Sequence, residues 1–260
     1  MIDQENFDIA PLLATAKRAG AAILDVYEKD FSVETKADDS PLTEADKSAN
    51  AVILEDLARL YPGVPVISEE TKTLPFEERK HWDWFWLVDP LDGTKEFVKK
   101  NGEFTVNIAL IHRGAPWAGV VYQPVTETLY YSVKTRGAWQ RIGAGSPVRL
   151  EGGVHYADAD AVTVVASRSH MSSEVEQFVA DLRGKGKAVE FLSAGSSLKL
   201  CLVASGTATV YPRLGPTMEW DTAAAHAIAV EAGRSVLDFE TREPLFYNKA
   251  NLLNPWFIVE

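Results

Sequence analysis

One apolar run, residues 84–88, constrains the fold of this 260-residue chain more than any other stretch. Five consecutive apolar residues have the length of a strand, and the run leads directly to Asp89. A second short apolar run, residues 64–67, leads in the same way to Glu69 and Glu70. The sequence therefore predicts two strands that each carry carboxylates at one end.

Helical spacing precedes these strands. Apolar residues recur at the 3.6-residue period from Leu12 to Val26, which predicts a long amphipathic first helix. Thr43 is suited to be the N-cap of a second helix, which Tyr61-Pro62-Gly63 ends. The N-terminal part of the chain therefore predicts two helices followed by strands.

Beyond residue 100 the pattern changes twice. Three or four strand-like runs between residues 104 and 141, separated by turn sequences such as Arg113-Gly114, predict an antiparallel meander. After the glycine-rich stretch at 143–153, strands alternate with helices, which predicts a more parallel α/β arrangement. We expect these helices to begin near Ser173, Ser197 and Thr222. Two tightly packed lobes follow from this division, residues 1–150 and 151–260.

Charge and composition restrict the possible partners. The formal net charge is -11 and the chain has no Lys/Arg run, so a nucleic-acid polymer or an acidic membrane is an unfavourable partner. A small phosphorylated substrate remains compatible, because divalent cations and a few basic side chains can invert the field within one pocket. The single cysteine, Cys201, excludes an intramolecular disulfide, and we expect it to be buried.

Targeting signals are not visible in the sequence. No apolar run approaches the roughly 20 residues of a membrane span, and the acidic start lacks the order of a secretion signal. We therefore expect a cytoplasmic protein without integral membrane association.

The segment from Asp89 to Thr94 carries the most chemical information. An apolar strand delivers Asp89, Pro90 is expected to stop the ladder, Gly93 permits a tight turn and Thr94 is suited to begin a helix. Carboxylate oxygens are the ligands that Mg²⁺ prefers, and free N–H groups at a helix start can hold a phosphate oxygen. Asp-Pro and Asp-Gly are also ordinary turn dipeptides, so this segment alone leaves both interpretations open.

Two further acidic segments are likewise compatible with either a functional or a purely structural interpretation. Glu69 and Glu70 follow a strand, but adjacent acids are common on solvated surfaces. Asp221 stands where an N-cap would, before a helix of small apolar residues. Each of these segments taken alone has a plain structural explanation.

Taken together, the three segments resemble a known signature. The order Glu69-Glu70, Asp89-Pro-Leu-Asp92-Gly-Thr94 and Trp220-Asp221 is similar to that of the inositol monophosphatase superfamily of metal-dependent, lithium-sensitive phosphatases, and the resemblance spans essentially the whole chain. It implies a layered αβαβα sandwich of the inositol monophosphatase and fructose-1,6-bisphosphatase type, with α+β and α/β parts. It also implies two or three Mg²⁺ ions, held by Glu69, Asp89, Asp92, Asp221 and the backbone carbonyl of Leu91.

The resemblance assigns catalytic roles as well. Thr94 and Asp46 would orient or deprotonate a metal-activated water, and Glu69 and Glu70 would hold the metal and its waters. Asp46 also stands three residues after Thr43, where it could complete a capping box, and the two roles are compatible. Lys36 could reach the metal site from the preceding polar loop or belong to a mobile loop.

Within the superfamily the chain more closely resembles the CysQ-type 3'(2'),5'-bisphosphate nucleotidases. The likeness rests on the stretches 166–170, 195–199 and 211–216. It implies hydrolysis of 3'(2')-phosphoadenosine 5'-phosphate to AMP and phosphate, a step of nucleotide recycling in sulfur assimilation. Basic side chains would bind the second phosphate through charge-assisted hydrogen bonds. The substrate-binding residues implied are Leu91, Asp92, Gly93, Thr94, Arg168, His170, Gly195, Lys199, Arg213 and Asp221.

Several alternatives remain. An inositol-1-monophosphatase or sugar phosphatase would share the metal site and differ in the substrate loops, where Met218-Glu219 departs from the family pattern. A non-catalytic protein with a structural metal site is disfavoured, because clustered acids repel one another without cations. The sequence contains no H-E-x-x-H, G-x-G-x-x-G or P-loop, which argues against a zinc hydrolase, a dinucleotide enzyme or a kinase. Both a monomer and a homodimer are compatible with the sequence.

Overall fold

A computed structural model describes residues 2–28, 33–35, 41–166 and 172–260, with the backbone alone at 33–35 and 41–43. Lys36, Arg168 and His170 lie outside the described residues, as does the side chain of Thr43. Within the described ranges the helices are α1 (Ala10–Tyr27), α2 (Glu44–Leu60), α3 (Phe76–Arg79), α4 (Thr94–Val98), α5 (Ser173–Gly184), α6 (Leu198–Ala204) and α7 (Glu219–Glu231). The strands are β1 (Val33–Thr35), β2 (Pro41–Thr43), β3 (Val66–Ser68), β4 (Trp84–Asp92), β5 (Thr105–His112), β6 (Ala115–Gln123), β7 (Thr128–Val133), β8 (Ala138–Ile142), β9 (Val148–Arg149), β10 (Ala161–Ala166), β11 (Ala188–Ser193), β12 (Tyr211–Arg213), β13 (Val236–Asp238) and β14 (Phe257–Val259).

A seven-stranded sheet runs in the order β3-β4-β5-β6-β7-β8-β9. The strands β4 to β9 pair antiparallel, each with the next, and this confirms the predicted meander. β3 is the exception, since it pairs parallel with β4. The carboxyl ends of β3 and β4 therefore lie at the same edge of the sheet.

The continuous apolar run in β4 is explained by burial on both faces of this sheet. Successive side chains of a strand point to opposite faces. Trp86 and Val88 join the cluster formed with α1 and α2, whereas Phe85 and Leu87 join the cluster that includes α6 and α7. All four are almost fully buried.

Five layers follow from this arrangement. The α1 and α2 pair covers one face of the large sheet, and α6 and α7 cover the other. A second group of strands lies beyond α6 and α7, and α5 packs on its outer side through Val179 and Leu182, against Val162 and Val164. The layers are therefore helix, sheet, helix, sheet, helix, and the expected αβαβα sandwich is confirmed.

The second half of the chain is only partly parallel. β10 and β11 pair parallel, and a single parallel bridge joins Val164 to Val210 next to β12. The strands β12, β14 and β13 are antiparallel, so the predicted parallel character is wrong for this closing sheet. One core cluster contains residues from both halves, and the division near residue 150 stays a prediction.

Two other features were predicted from composition. Cys201 is buried, as expected, and burial raises the pKa of its thiol. None of the described helices combines the length and the apolarity needed to cross a bilayer.

Candidate active site

The parallel pairing of β3 with β4 brings two of the acidic segments together. Ser68 lies opposite Val88, and the backbone N–H of Glu69 donates to the carbonyl of Val88 at 3.1 Å. The next residues along the two strands are Glu69 and Asp89. The carboxylates predicted at the two strand ends are therefore found there, and the parallel pairing, which the strand pattern did not predict, makes the two ends adjacent.

The turn after Asp89 is built from its own side chain. Its Oδ1 accepts a hydrogen bond from the backbone N–H of Leu91 at 3.1 Å, so Asp89 also has the turn role that its sequence allows. Pro90 does not stop the strand as predicted, because pairing with β5 resumes at Asp92 after a register shift. Gly93 then adopts a left-handed φ of 94°, and α4 begins at Thr94 as expected.

Asp221 reaches the site from the far end of the chain. Helix α7 begins at Glu219 rather than near Thr222, and Met218 is the N-cap. Asp221 is therefore the third helical residue and not the N-cap that the sequence suggested. Its Oδ2 accepts a hydrogen bond from the backbone N–H of Met218 at 2.9 Å, which orients the carboxylate.

Three carboxylates from these segments form one cluster. Glu69, Asp89 and Asp221 offer oxygens that all lie within 4.8 Å of one another. Burial raises the pKa of Asp89 well above its ordinary value, and the charges of Glu69, Asp92, Asp221 and Asp46 raise it further. Burial, followed by the charge of Asp92, raises the pKa of Asp221 to about 8.

A hard divalent cation fits this donor set. Carboxylate oxygens are the ligands that Mg²⁺ selects, and the spacing lets one ion contact all three groups. Clustered anions in a poorly solvated place are unfavourable without a cation, and the raised pKa values of Asp89 and Asp221 express that cost. The geometry and the electrostatics therefore point to the same ligand chemistry.

Asp92 lies beside the cluster and is held separately. Its Oδ2 accepts hydrogen bonds from the backbone N–H of Ser197 at 2.6 Å, from the Ser196 hydroxyl at 2.9 Å and from Asn107 Nδ2 at 3.4 Å. Asp92 is not part of the three-carboxylate group, although it lines the same cavity. The backbone of Leu91, the remaining expected ligand, also lies there, and the Thr94 hydroxyl donates to its carbonyl oxygen at 3.5 Å.

Two adjoining cavities contain these groups. The larger, of about 520 Å³, is lined by Glu69, Asp89, Leu91, Asp92, Gly93, Thr94, Lys95, Glu96, Arg213, Pro216, Thr217, Met218, Trp220, Asp221 and Leu253. The smaller, of about 200 Å³, is lined by Asp92, Gly93, Glu96, Ser196, Ser197, Lys199, Leu200, Tyr211, Arg213, Thr217, Asp221, Thr222 and Phe257. Asp92, Asp221 and Arg213 line both, so the carboxylates and the basic side chains share one continuous region.

The predicted substrate contacts have different positions. Lys199 is buried and lines the smaller cavity, so it is not a solvated surface charge. Arg213 is partly exposed, and its Nη2 donates to the Pro216 carbonyl at 2.8 Å. Gly195 lines neither cavity; it packs so closely on Glu103 that a Cβ atom would lie 2.8 Å from the Glu103 carbonyl oxygen.

Asp46 and Glu70 stand at different depths. Asp46 is buried in the first turn of α2, and its charge is near enough to Asp89 to raise the pKa of that carboxyl. Glu70 is partly exposed after β3, and its backbone N–H donates to the Ser68 hydroxyl at 3.3 Å. A capping box between Thr43 and Asp46 stays a prediction, since the Thr43 side chain is outside the described part.

Sequence reasoning missed the residues that support the site. Glu219 is fully buried, and its carboxylate accepts from the backbone N–H groups of Asn248 and Lys249 and from the Lys249 ammonium. Glu219 thereby connects the segment at residues 248–249 to the start of α7. Thr105 and Asn107 are also buried and polar. The sequence feature that could have identified Thr105 and Asn107 is a polar residue within an otherwise apolar strand.

The five-layer fold places a carboxylate cluster that is suited to a divalent cation at one edge of the large sheet. The sequence model of the inositol monophosphatase family matches residues 4–256, and the chain belongs to this family. The resemblance stated from the motifs is therefore confirmed.

Comparison with individual relatives shows which members of the family the chain is similar to. The chain is 47% identical to the 3'(2'),5'-bisphosphate nucleotidase CysQ of Salmonella typhimurium, over 94% of this chain and 96% of that protein. It is also 47% identical to CysQ of Escherichia coli K12, with the same coverage. The crystal structure of CysQ from Bacteroides thetaiotaomicron superposes with a TM-score of 0.86 at 46% identity, covering 98% of each chain. The suhB protein of Bartonella henselae, at 23% identity and a TM-score of 0.76, shares the fold.

Proposed function

We propose that this protein is a Mg²⁺-dependent 3'(2'),5'-bisphosphate nucleotidase that releases phosphate from 3'-phosphoadenosine 5'-phosphate in the cytoplasm and leaves AMP. The names of the CysQ relatives support the activity. The carboxylate cluster supports the metal dependence. A substrate with two phosphates accounts for both the carboxylate cluster and the basic side chains that line the adjoining cavities.

The buried ammonium of Lys199 is the observation that carries this proposal. Among the residues that the structure describes, it reaches one hydrogen-bond acceptor, the Ala194 carbonyl oxygen, at the long distance of 3.5 Å. It also lies 5.8 Å from the centre of the Tyr211 ring. A buried charge with so little compensation is costly, and the adjoining cavity gives an anion room to supply it. A second phosphate is an anion of the right size and charge.

Mg²⁺ would be held by Glu69, Asp89 and Asp221, with Asp92 and the Leu91 carbonyl completing the set. Bound Mg²⁺ supplies a Lewis acid that activates water and neutralises charge on the phosphoryl group. The scissile phosphate lies at this end of the cavity, and Lys199 and Arg213 bind the other phosphate. Arg168 and His170 join them on the basis of the resemblance.

The remaining residues act on the attacking water. The Thr94 hydroxyl stands at the start of α4 and orients the water, and the buried Asp46 carboxylate accepts its proton. Glu69 and Glu70 hold neighbouring waters in place. Water oxygen bonds to phosphorus as the phosphorus–oxygen ester bond breaks, and the departing ribose oxygen takes a proton from solvent to become a hydroxyl. No covalent phosphoenzyme is required.

The substrate panel is the first test. We expect phosphate release from 3'-phosphoadenosine 5'-phosphate in Mg²⁺ to exceed release from inositol 1-phosphate and fructose 1,6-bisphosphate, and to be lost with EDTA and reduced by Li⁺. A preference for inositol 1-phosphate would replace the nucleotidase by a monophosphatase with the same metal site. No release from any of the three would contradict an enzymatic role.

Replacement of Lys199 tests the second phosphate directly. We expect Lys199→Met to lower kcat/KM for 3'-phosphoadenosine 5'-phosphate by at least tenfold, since it removes a charge-assisted hydrogen bond. Its effect on adenosine 3'-monophosphate, which lacks the second phosphate, should be less than about threefold. Lys185→Met, at the exposed end of α5, is the matched control. Equal losses on both nucleotides would refute the assignment of Lys199.

A further inference from the structure

A polar cluster supports Asp92, and it consists of Thr105, Asn107, Ser196 and Ser197, of which only Ser196 is partly exposed. Thr105 and Asn107 belong to β5 of the large sheet, whereas Ser196 and Ser197 directly precede α6. Thr105, Asn107 and Ser197 are buried. The cluster thus joins two parts of the chain that are far apart in sequence, beside one carboxylate.

Thr105 is the centre of this cluster. Its Oγ1 lies 2.6 Å from Ser196 Oγ, 2.9 Å from Ser197 Oγ and 3.0 Å from Asn107 Oδ1. The Ser197 hydroxyl in turn lies 2.9 Å from Asn107 Oδ1. Each hydroxyl has one proton to donate, so three hydroxyl protons must be shared among these contacts and the one to Asp92.

The sharing has a preferred direction. The Asp92 carboxylate accepts from Ser196, so the short contact between Ser196 and Thr105 is satisfied when Thr105 donates to Ser196. The same single proton otherwise goes to Asn107 Oδ1, and Asn107 Nδ2 also donates to Asp92, so both arrangements lead to that carboxylate. Ser197 then donates to Asn107 or to Thr105. Chains of hydrogen bonds that run toward an acceptor of high negative charge strengthen one another. The hydroxyl of Thr105 therefore acts on Asp92 through Ser196.

Backbone strain at Ser196 supports a specific role. Ser196 has φ 55°, in the left-handed region that non-glycine residues seldom adopt. This conformation directs the Ser197 N–H to Asp92 at 2.6 Å while the Ser196 hydroxyl reaches the same oxygen. Three donors occupy Oδ2, so the orientation of the carboxylate is fixed.

We infer that Thr105 is a positioning residue that sets the Mg²⁺ affinity of the site by orienting Asp92 through Ser196 and Ser197. This inference rests on the proposed function for the identity of the ion. Partners behind a ligating carboxylate typically change metal affinity by about 10- to 100-fold. Thr105 touches neither substrate nor metal in this proposal.

An isosteric pair of substitutions isolates the hydroxyl. Thr105→Val removes it at nearly constant volume, and Thr105→Ser retains it. We expect Thr105→Val to weaken Mg²⁺ binding about tenfold by isothermal titration calorimetry without substrate, and Thr105→Ser to bind within about twofold of the wild type. Thr128→Val, at a buried threonine of β7, is the control and should bind as the wild type does.

Steady-state kinetics give a second readout. Thr105→Val should raise the Mg²⁺ concentration for half-maximal activity about tenfold, with kcat largely recovered at saturating Mg²⁺. A damaged fold would lower kcat at every Mg²⁺ concentration. If Thr105→Val does not fold, Ser196→Gly replaces it, because glycine accepts the left-handed φ while the hydroxyl on Asp92 is lost.

The outcomes are distinct from those of the nucleotidase proposal. Unchanged Mg²⁺ binding in Thr105→Val and Ser196→Gly, or an equal loss in Thr105→Ser, would overturn the role of Thr105. A wild-type protein that binds no Mg²⁺ would overturn it as well. Weakened binding in a protein that does not hydrolyse 3'-phosphoadenosine 5'-phosphate would support the positioning role and refute only the nucleotidase activity.

Discussion

At the scale of single residues, His226 shows how burial determines protonation. It lies in α7 and is buried, and its Nδ1 is 2.8 Å from the Tyr247 hydroxyl. Burial lowers the pKa of His226 from an ordinary value of 6.5 to about 3. Glu219 of the same helix is paired with Lys249, so it adds no unpaired charge to this part of the protein. The native protein therefore keeps His226 uncharged at every moderately acidic pH.

His226 by itself therefore lowers the stability of the folded state on mild acidification, whereas Asp221, whose pKa is raised, contributes in the opposite direction. Between the folded and unfolded pKa values the unfolded chain binds a proton that the native state does not, so unfolding becomes more favourable as pH falls below 6.5. We expect His226 to cost the wild type about 2 kcal/mol between pH 7 and pH 5. His226→Gln should lose that much less over the same range in urea titrations, whereas exposed His81→Gln should follow the wild type. Parallel pH profiles for all three proteins would contradict the prediction.

The sequence revealed the acidic residues but not their exact local roles. Asp221 was expected to be an N-cap because aspartate fits both the N-cap and the third helical position. Its true place depends on where Met218 and Glu219 lie, and Glu219 is fixed by backbone groups of Asn248 and Lys249. Such tertiary contacts have no signature in local sequence.

At the scale of elements, β6 packs closely against α7, the helix that carries Asp221. A Cβ atom on Gly119 would lie 2.2 Å from the carbonyl oxygen of Ala224. Only glycine permits this approach without displacing the helix that carries Asp221. The packing of one strand residue thus sets the position of a candidate ligand.

We expect Gly119→Ala to destabilise the protein by about 2 kcal/mol and to weaken Mg²⁺ binding, because α7 must move away from the sheet. Gly184→Ala is the control, since Gly184 ends α5 and a Cβ atom there meets nothing within 4 Å. That variant should be neutral or more stable by up to about 1 kcal/mol. Denaturant unfolding and calorimetric Mg²⁺ titration of both variants test the prediction, which fails if the two variants behave alike.

Elements with strong periodicity were predictable, whereas some of the short ones were not. The spacing from Leu12 to Val26 identified α1, and turn sequences identified the meander. The three-residue strands β13 and β14 were missed, because so short a stretch has no period to detect, and their pairing is imposed by the sheet they complete.

At the scale of the whole molecule, the carboxylate cluster lowers the stability of the metal-free protein and provides a binding site for a cation. Without a cation, Glu69, Asp89 and Asp221 must either hold like charges close together or take up protons at raised pKa values, and both disfavour the folded state. A ligand that binds the native state alone restores stability by mass action. The family resemblance predicted this layout from three motifs, whereas composition alone indicated no more than a globular acidic protein.

We therefore expect Asp89→Asn to be more stable than the wild type in EDTA, by about 1 kcal/mol or roughly 3 °C, since one buried charge is removed at constant shape. Saturating Mg²⁺ should raise the melting temperature of the wild type and leave Asp89→Asn nearly unchanged. Asp25→Asn, on the exposed face of α1, controls for net charge. Thermal denaturation measures these melting temperatures. A wild type that melts at a higher temperature than Asp89→Asn in EDTA would contradict the prediction.

The parallel pairing of β3 with β4, and the late arrival of α7, have a consequence for synthesis on the ribosome. Glu69 and Asp89 emerge before Asp221, which lies 132 residues beyond Asp89. A nascent chain that has not yet reached Asp221 therefore presents an incomplete set of the candidate ligands. An ion held by all three carboxylates would bind only after α7 docks on the sheet, so it would stabilise a fold that is already formed rather than guide its formation.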